Sequence, residues 1–547
     1  MRKYFAGHGA LFNTPGSLYD RLKVGALARV LCSSGWLTGI TACGLWGGWS
    51  DAAQAEAPRT IQFQVAHFVA QGESPLSADE MARVLAPYDN QTYDLNQLQT
   101  VAKALEQAIR DEGYAFYRVI VPPQTLNEQQ VILQIVEFHI GAIQVEGNEH
   151  FDRANILNSL PGLTENASPN TRHLADQLDA ANRHPSKNIL LTFRQGDSAG
   201  TVDANLDVHD ASPLQLSLMA NNSGSDETGK MRLTASAQYS NLWQLDHLVT
   251  MSYTTSPGHW SDVQQYGGSY SAPIYVAQGW ITLFAARSSV DSGIVANDFN
   301  VTGSGEVYGL HYLQYLPGLG RYDHQLDVGV DNRLFNNDIN FLGQPIGVDV
   351  RSAPASLLYR GEYSWSETRL GGHLQWSKNT AMGTKNDDAT YALSRFGADS
   401  DWDNWHYGLT LDQALPERWQ FSLRMTGQYS HSPLISGEQF GLGGAHSVRG
   451  YEEREVSVDS GEIYNLELLT PAWEGATGLL FMDYGHGRLQ QAQPGENAED
   501  ELKGSGIGLR GQWSFVSVSV DVAYAWDETA ETDNGDIYVH ASLQATY

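Results

Sequence analysis

Residues that could do chemistry are numerous in this sequence, but they do not form catalytic or metal-binding patterns. The chain has 17 histidines, yet no Gly-x-Ser-x-Gly or His-Glu-x-x-His motif and no phosphate-binding loop. Isolated histidines such as His324 and His373 are typical of structural or solvated positions. Acidic runs at Asp387-Asp388 and Asp399–Asp403 could attract divalent cations that bridge lipopolysaccharide, but a solvated charged loop explains them better. The sequence therefore predicts no catalytic residue, no metal ligand and no cofactor.

The charge balance restricts the possible partners. The formal net charge is -30 at pH 7, and an acidic protein of this kind repels the phosphates of nucleic acid. Aromatic residues make up 10% of the chain. That share fits a soluble all-β enzyme and a transmembrane barrel equally well, since lipid-facing and lumen-facing residues of a barrel alternate.

Residues 1–55 have the features of a secretory signal peptide. Basic residues from Arg2 to Arg29 precede and enter a weakly apolar run, and Ala53-Gln54-Ala55 supplies a small-residue cleavage site. An uncleaved anchor and a lipoprotein box ending at Cys43 are the alternatives. Cys32 and Cys43 are the only 2 cysteines, so we expect a mature chain without a disulfide or a cysteine metal site.

Residues 60–208 contain the order β-α-α-β-β twice, and each copy is large enough for a thin two-layer domain. In the first copy an alternating strand lies near 60–65. Ser77-Ala78-Asp79-Glu80 is a capping box for a short helix, and Asp94 caps a longer amphipathic helix. The remaining elements are predicted as strands near 114–121, 130–138 and 140–146, helices near 153–160 and 171–182, and strands near 188–194 and 201–208.

The elements change character at Pro213. Strands of strictly alternating residues recur from there to Tyr547, and they are long enough to cross a bilayer at a tilt. Counting them gives sixteen. Short turns alternate with long polar loops, the long loops lying near 290–302, 336–353, 379–401, 431–460 and 488–502. Beyond Glu56 no apolar stretch is long enough for a transmembrane helix, so a membrane-spanning mature chain must form a closed barrel.

Five short motifs carry a resemblance to a known family. They are Gly113-Tyr114 with Val121-Pro122-Pro123-Gln124, Gly147-Asn148, Ala181-Asn182-Arg183-His184-Pro185, the run Leu442-Gly443-Gly444-Ala445-His446-Ser447-Val448-Arg449-Gly450-Tyr451, and Phe481-Met482-Asp483-Tyr484-Gly485. In these the chain resembles the outer-membrane transporters of two-partner secretion, relatives of the haemolysin and filamentous-haemagglutinin secretors. The resemblance covers nearly the whole mature chain and ends on the aromatic Tyr547. It implies a leader at 1–55, polypeptide-transport-associated (POTRA) domains at 56–138 and 139–212, and a barrel of sixteen antiparallel strands at 213–547.

The resemblance also implies a site inside the barrel. Val448, Arg449, Gly450 and Tyr451 lie between the eleventh and twelfth strands, in outer loop six, which folds back into the lumen in this superfamily. There the arginine is held by the aspartate of the Phe481, Asp483 and Gly485 motif on the thirteenth strand. A guanidinium and a carboxylate can pair bidentately, and flanking glycines permit close approach. The plain alternative is a solvated loop arginine and an ordinary lumen carboxylate.

By resemblance, the function is export of an unfolded partner exoprotein from the periplasm to the cell surface. The POTRA sheet edges within 60–208 would bind its N-terminal secretion domain by strand addition, and the barrel would sit as a monomer among outer-membrane lipid and lipopolysaccharide. An assembly factor of the same superfamily, with three or more POTRA domains as a rule, is the first alternative; a passive porin is the second. The cargo's identity and any activation of it are not encoded in this chain.

One feature departs from the family pattern. Many members carry a helix before the first POTRA domain that plugs the pore, whereas here only Glu56-Ala57-Pro58-Arg59 separates the expected cleavage site from the first strand. We therefore expect the lumen to be closed by loop six alone, to be closed by another inward loop such as 379–401, or not to be fully closed at all.

Overall fold

The chain forms two small α+β units followed by a closed barrel. The computed structural model describes residues 62–125, 129–225, 228–290, 293–295, 299–301, 304–336, 340–341, 344–345 and 347–547. The expected signal peptide at 1–55 and the segment preceding the first strand lie outside the described residues.

The first unit packs two helices on a three-stranded sheet. Its elements are β1 (Phe63–Val65), β2 (His67–Gln71), α1 (Ala78–Leu85), β3 (Gln91–Tyr93), α2 (Leu95–Asp111), β4 (Tyr117–Ile120) and β5 (Gln130–Glu137). The sheet has the order β2-β5-β4. Leu98, Leu105 and Ile109 of α2 are buried against it, as the three-to-four spacing predicts. Capping boxes open both helices, at Ser77 and at Asp94.

The first predicted strand needs a correction. The alternation near 60–65 predicted a strand of the main sheet, but β1 pairs instead with β3 in a separate two-stranded sheet. The strand that joins the main sheet is β2, which runs parallel to β5. The chain turns between β1 and β2 at Ala66, whose N–H donates to the Gln129 carbonyl and whose carbonyl accepts from the Asn90 N–H. The predicted strand is therefore present as β1, but its place in the main sheet was wrong, because alternating polarity identifies a strand and not its partner.

The second unit repeats the plan. It contains β6 (His139–Glu146), α3 (Arg153–Asn158), α4 (Thr171–Ala181), β7 (Lys187–Gln195) and β8 (Thr201–Asp210). The sheet order is β6-β8-β7, with β6 parallel and β7 antiparallel to β8. Leu174 and Leu178 of α4 and Leu206 of β8 belong to a second buried core, so each unit has a core of its own.

The two units are nevertheless in direct contact. Thr171, the first residue of α4, donates to the Gly113 carbonyl through its backbone N–H at 2.8 Å and through its hydroxyl at 2.7 Å. The rings of Phe116 and Phe193 meet edge to face with centroids 4.8 Å apart. Asn170 lies so close to Gly113 that a Cβ there would fall 2.4 Å from its Oδ1. This contact explains the glycine of the first motif.

Sixteen antiparallel strands close into the barrel, the predicted number. They are Leu214–Asn221, Arg232–Leu242, His247–Thr255, Gln264–Ile274, Gly279–Ser288, Gly305–Tyr315, Tyr322–Phe335, Pro354–Trp365, Thr368–Asn379, Asp403–Ala414, Gln420–Ser430, Ser460–Leu469, Ala476–Arg488, Glu499–Trp513, Val516–Ala525 and Ile537–Thr546. The short strand Val350–Ser352 extends the eighth. Closed pairing satisfies the backbone groups that lipid cannot.

Residues on the barrel strands alternate between lumen and exterior. On the thirteenth strand Leu479, Phe481 and Asp483 are buried, whereas Leu480 and Met482 are more than half exposed on the outer surface. Exposed Trp243 and Trp473 stand at turns on the side where the chain enters from β8, the position of an interfacial aromatic girdle. None of the helices among the described residues is long and apolar enough to cross a membrane.

The first and last strands form the seam. The paired residues run from Asn221 opposite Ser542 to Ser217 opposite Thr546. Leu216 and Tyr547 then exchange two backbone hydrogen bonds of 2.8 Å, so the closing aromatic residue is part of the seam. The Asn222 side chain prolongs it at the other end, accepting from the Ala541 N–H at 2.7 Å and donating to the Val539 carbonyl at 2.5 Å.

Candidate functional site: loop six inside the barrel

Loop six is a folded hairpin with a compact tip. Its two legs pair as short strands, Phe440–Leu442 with Val456–Val458. Between them the tip carries Val448 to Tyr451, all of them buried. The tip contacts inward-facing residues of the thirteenth to sixteenth strands, which places it in the lumen.

Arg449 binds the barrel wall through Asp483. Its Nε donates to Asp483 Oδ2 at 2.7 Å and its Nη2 to Oδ1 at 2.8 Å, which is bidentate pairing. The backbone N–H of Arg449 donates to the same carboxylate at 3.1 Å. Arg449 is 3% exposed and Asp483 is fully buried. The contact that the family resemblance implied is therefore present, on the lumen side.

Further carboxylates surround the guanidinium. Arg449 Nη1 donates to Glu467 Oε1 at 2.7 Å on the twelfth strand and lies 3.4 Å from Asp521 Oδ2 on the fifteenth. Asp521 is also held bidentately by Arg510, at 2.5 and 2.7 Å. Two arginines thus face three carboxylates, and mutual pairing offsets part of the desolvation cost.

Phe481 and Gly485, the other two residues of the motif on the thirteenth strand, complete the site that holds Arg449, which we call the loop-six seat. The Phe481 ring lies beneath the guanidinium, whose carbon is 3.6 Å from the ring centroid, a cation–π contact. A Cβ on Gly485 would come within 2.7 Å of Val448 Cγ2, so this glycine makes room for the loop. Phe481, Asp483 and Gly485, the inward-facing residues of the motif, thus all lie against the loop-six tip.

Gly450 and Tyr451 also contact the inner wall of the barrel. Gly450 has φ +108 and lies against the backbone of the fifteenth strand, where a Cβ would be 3.3 Å from the Ala525 nitrogen. Its N–H donates to His540 Nε2 at 3.1 Å. The Tyr451 hydroxyl donates to the Lys503 carbonyl at 2.9 Å and accepts from the Asp527 N–H at 3.0 Å.

Sequence reasoning missed several partners of this seat. Asn465 donates to the Ser447 carbonyl at 2.7 Å and to Asp483 Oδ1 at 2.9 Å. Gly504 passes so close that a Cβ would lie 1.9 Å from the Arg449 carbonyl oxygen. Glu467 and Asn465 on the twelfth strand and His540 on the sixteenth occupy inward-facing positions. The alternation of polar and apolar residues shows which residues face inward, but it does not show which of them contact loop six.

A second set of contacts joins the outer loops to one another. Arg395 of loop five binds Asp459 at the end of loop six and the Leu434 carbonyl at its beginning. Asp459 is fully buried and also accepts the N–H of Leu434 at 2.9 Å and of Gln490, in loop seven, at 2.7 Å. We call Arg395, Leu434, Asp459 and Gln490 the outer clamp, because these four residues join three loops.

Loop six has one more anchor on the wall. Its Glu438 is 5% exposed; it accepts from Arg333 of the seventh strand at 2.9 Å and from the Ser352 hydroxyl at 2.5 Å. Arg333 in turn donates to Asp331 at 2.7 Å, and His311 lies between Asp331 and Asp327.

These contacts change the reading of three lumen aspartates. Strand alternation predicts that Asp327, Asp331 and Asp521 line the lumen, where their charges would favour cations. The structure places them on the inner wall, but Asp521 pairs with two arginines, Asp331 pairs with Arg333, and both Asp331 and Asp327 bind His311. Charges that are paired inside the wall contribute less field to the pore.

The acidic residues of loop five make structural contacts. Asp387 caps the helix α5 (Asp388–Ser394), Asp388 accepts from Ser400 and Asp401 pairs with Lys378. Among the described residues no group of three or more potential ligands is arranged to hold a metal ion.

A sixteen-stranded barrel whose inward loop is seated by Arg449 on Asp483, preceded by two β-α-α-β-β units, defines an outer-membrane polypeptide transporter. The chain belongs to the haemolysin secretion/activation family ShlB/FhaC/HecB, whose model matches residues 200–511. The model of the ShlB-type POTRA domain matches residues 63–137. The protein is thus a transporter of two-partner secretion in the outer membrane, with its POTRA domains in the periplasm.

Individual relatives agree with this assignment. The heme/hemopexin transporter protein HuxB of Haemophilus influenzae strain 86-028NP is 23% identical over 84% of this chain and 82% of its own. The outer membrane transporter CdiB of Escherichia coli O6:K15:H31 is 23% identical over 76% and 73%.

Solved structures show the same fold. CdiB from Escherichia coli matches with a TM-score of 0.69 at 18% identity, over 91% of this chain and 93% of that one. CdiB from Acinetobacter baumannii matches with a TM-score of 0.65 at 17% identity, over 90% and 91%.

Proposed function

We propose that the protein receives an unfolded segment of its partner exoprotein on the open edge of strand β7 and passes it through the lumen after loop six leaves its seat. The observation that carries this proposal is a difference among the four sheet edges of the POTRA units. A polypeptide that adds a strand needs unpaired backbone groups along an edge.

On each of the other three edges, at least one backbone group is bonded by the protein's own groups. On β2 the Phe68 N–H donates to Asp89 at 3.2 Å, and on β4 the Val119 N–H donates to Glu106 at 3.1 Å. On β6 the backbone of Ile140 exchanges hydrogen bonds of 2.9 and 2.8 Å with residues 166–167. Strand addition at these edges would have to displace such contacts.

The β7 edge is covered only near its beginning. The Asn182 side chain bonds both outward backbone groups of Ile189, at 2.6 and 2.9 Å. Backbone groups two residues apart on a strand point the same way, so those of Leu191 and Phe193 face outward as well. Within the described residues neither has a backbone partner outside the β7–β8 pairing. A cargo strand placed there would meet the exposed face formed by Leu190, Thr192 and Arg194.

Site-specific crosslinking tests this docking site. A photoreactive amino acid at Thr192 on β7 should crosslink to the unfolded N-terminal fragment of an exoprotein encoded beside this chain. The matched control is the same group at Arg118, an exposed position on β4, where Glu106 covers the edge. Equal crosslinking at both positions, or none at Thr192 during active export, would remove β7 as the docking edge.

Export and membrane-protein assembly can be separated in cells. When residues 56–212 are deleted, we expect the exoprotein to remain in the periplasm. Other outer-membrane proteins should still assemble normally. Loss of those other proteins would favour the assembly-factor alternative. The closed seam leaves no strand requiring a second copy, so the transporter is proposed to act as a monomer among outer-membrane lipid and lipopolysaccharide, without enzymatic chemistry.

A further inference from the structure

Strand β7 begins in a buried polar cluster on the rim of the barrel. Lys187, its first residue, extends its ammonium to Asp246 Oδ2 at 2.5 Å. Asp246 lies in the turn between the second and third barrel strands, on the side of the POTRA units. The side chain of Lys187 is fully buried and that of Asp246 is 1% exposed.

Neutral groups from both sides complete this cluster. Asn155 of α3 accepts from Lys187 at 2.9 Å and donates to Asp246 Oδ1 at 2.8 Å. The Tyr275 hydroxyl, from the next turn of the barrel on that side, donates to Asp246. Asn155, Lys187 and Asp246 are each less than 5% exposed. The cluster contains one cation and one anion, and each has further hydrogen bonds, as a buried pair requires.

The motif before β7 provides the remaining contacts with the rim. His184 Nε2 donates to the Ser240 carbonyl at 2.6 Å, and its Nδ1 accepts from the Ser186 N–H at 3.2 Å. The Arg183 guanidinium lies 3.7 Å from the centre of the Tyr315 ring, at the end of the sixth barrel strand. The Asn182-Arg183-His184 motif thus has a physical reason: Asn182 covers β7 at Ile189, and the next two residues bind the barrel.

Burial affects the protonation of these groups in a consistent way. It lowers the pKa of His184, so this imidazole stays neutral, and it raises the pKa of Tyr275, so this hydroxyl remains a donor. Burial also lowers the pKa of Lys187, and Asp246 opposes that effect. Removing Asp246 would therefore leave a buried ammonium without a counter-charge.

We propose that the Lys187–Asp246 pair, with Arg183 and His184 beside it, is a joint that holds the first end of β7 against the barrel rim, so that cargo paired along β7 is presented at the mouth of the lumen. This role rests on the proposed function, because it assumes that cargo pairs with β7. Lys187 and Asp246 are positioning residues in this proposal and need not touch cargo.

The distance between β7 and the barrel rim, which the joint should fix, can be measured directly in the full-length protein. Spin labels on Thr192→Cys and Glu474→Cys, both exposed, report the distance between β7 and a distant turn of the rim. Cys32 and Cys43 lie in the expected leader and are replaced by serine where it is retained. We expect one narrow distance distribution for the parent protein and for Arg194→Met, a control that removes an exposed cation from the same strand.

The single variants Lys187→Met and Asp246→Asn should broaden this distribution. Without the labels, each should lower the amount of exported exoprotein at least about tenfold, because each leaves one group of the pair buried without its partner. The double variant K187M/D246N removes both charges and should restore the narrow distribution and export to within about twofold of the parent. Such a rescue is not expected if either charge acted on cargo by itself.

The outcomes separate the joint from the proposed function. Unchanged distances in both single variants would overturn the joint, and broadened distances with undiminished export would overturn its positioning role. A double variant that recovers neither the narrow distance distribution nor export would also overturn the positioning role, even where the single variants do not assemble. Failure of the parent protein to export would count against the proposed function, while the distances would still decide whether the joint exists.

Discussion

Arg449 is the residue on which the loop-six seat depends. It makes a bidentate bond to Asp483, a further bond to Glu467 and a ring contact with Phe481, all within a site that is almost fully buried. Removing one member of a buried pair costs on the order of 3–5 kcal/mol, because the other charge remains without compensation. That amount is large compared with the stability of a loop conformation.

We predict that Arg449→Ala abolishes most export while the barrel still assembles. Arg449→Lys should behave nearly as badly, because an ammonium cannot reproduce the planar two-point bond. Arg369→Ala, which removes a half-exposed arginine of the ninth strand, is the matched control. Heat-modifiable migration on gels would show assembly, and exoprotein in the medium would show export. Normal secretion by the Arg449→Ala variant would mean that the seat is not needed.

Sequence reasoning reached part of this site. The paired motifs, placed on the eleventh-to-twelfth loop and on the thirteenth strand, predicted that Arg449 meets Asp483. It did not identify Glu467 or Asn465, because inward positions of a barrel carry many polar residues and alternation alone does not rank them. The sequence did not predict the pairing of Lys187 with Asp246 either. These residues are 59 positions apart and belong to different units, so they come into contact only in the folded protein.

At the scale of elements, strand alternation predicted the barrel well because lipid and lumen impose opposite requirements on successive residues. The loops were less predictable. Residues 379–401 looked like a polar loop, yet they contain α5, whose Tyr391 is fully buried with Trp402. A seven-residue helix has too few turns to give a clear periodic signal, and it depends on this tertiary packing.

Glycines decide how closely the loop-six tip approaches the wall. We predict that Gly504→Ala displaces the tip and lowers export, because its Cβ would lie 1.9 Å from the Arg449 carbonyl oxygen, which is backbone and cannot rotate away. Gly478→Ala on the neighbouring strand is the control, since its nearest contact would be 3.5 Å. Protease accessibility of loop six and export are the measurements. Equal behaviour of the two variants would contradict this close approach.

We make a separate prediction about the outer clamp and the closure of the lumen. Arg395→Ala should free loop five from loops six and seven, since it leaves the fully buried Asp459 without its arginine. We expect more frequent and larger openings in planar bilayers, with the Arg449 seat intact. Lys385→Ala, which removes a half-exposed pair between loop five and Asp349 of loop four, should leave the openings unchanged. A silent Arg395→Ala channel would show that the clamp does not limit conduction.

For the whole molecule, the charge distribution determines which ions cross the open lumen. The formal net charge is -30, and a strongly negative protein raises the local concentration of cations around its pore. The wall itself contributes less than the count of carboxylates suggests, because Asp331 and Asp521 are paired with arginines.

We therefore predict a moderate preference for cations, visible as a shifted reversal potential across a potassium chloride gradient. Releasing the loop by Arg449→Ala should strengthen this preference, because it removes a cation from a site where Asp483, Glu467 and Asp521 would then face the lumen. Glu467→Gln should act in the opposite direction, since it removes one of these carboxylates. An anion preference in the parent channel, or selectivity that stays the same in both variants, would show that the lumen carboxylates do not govern permeation.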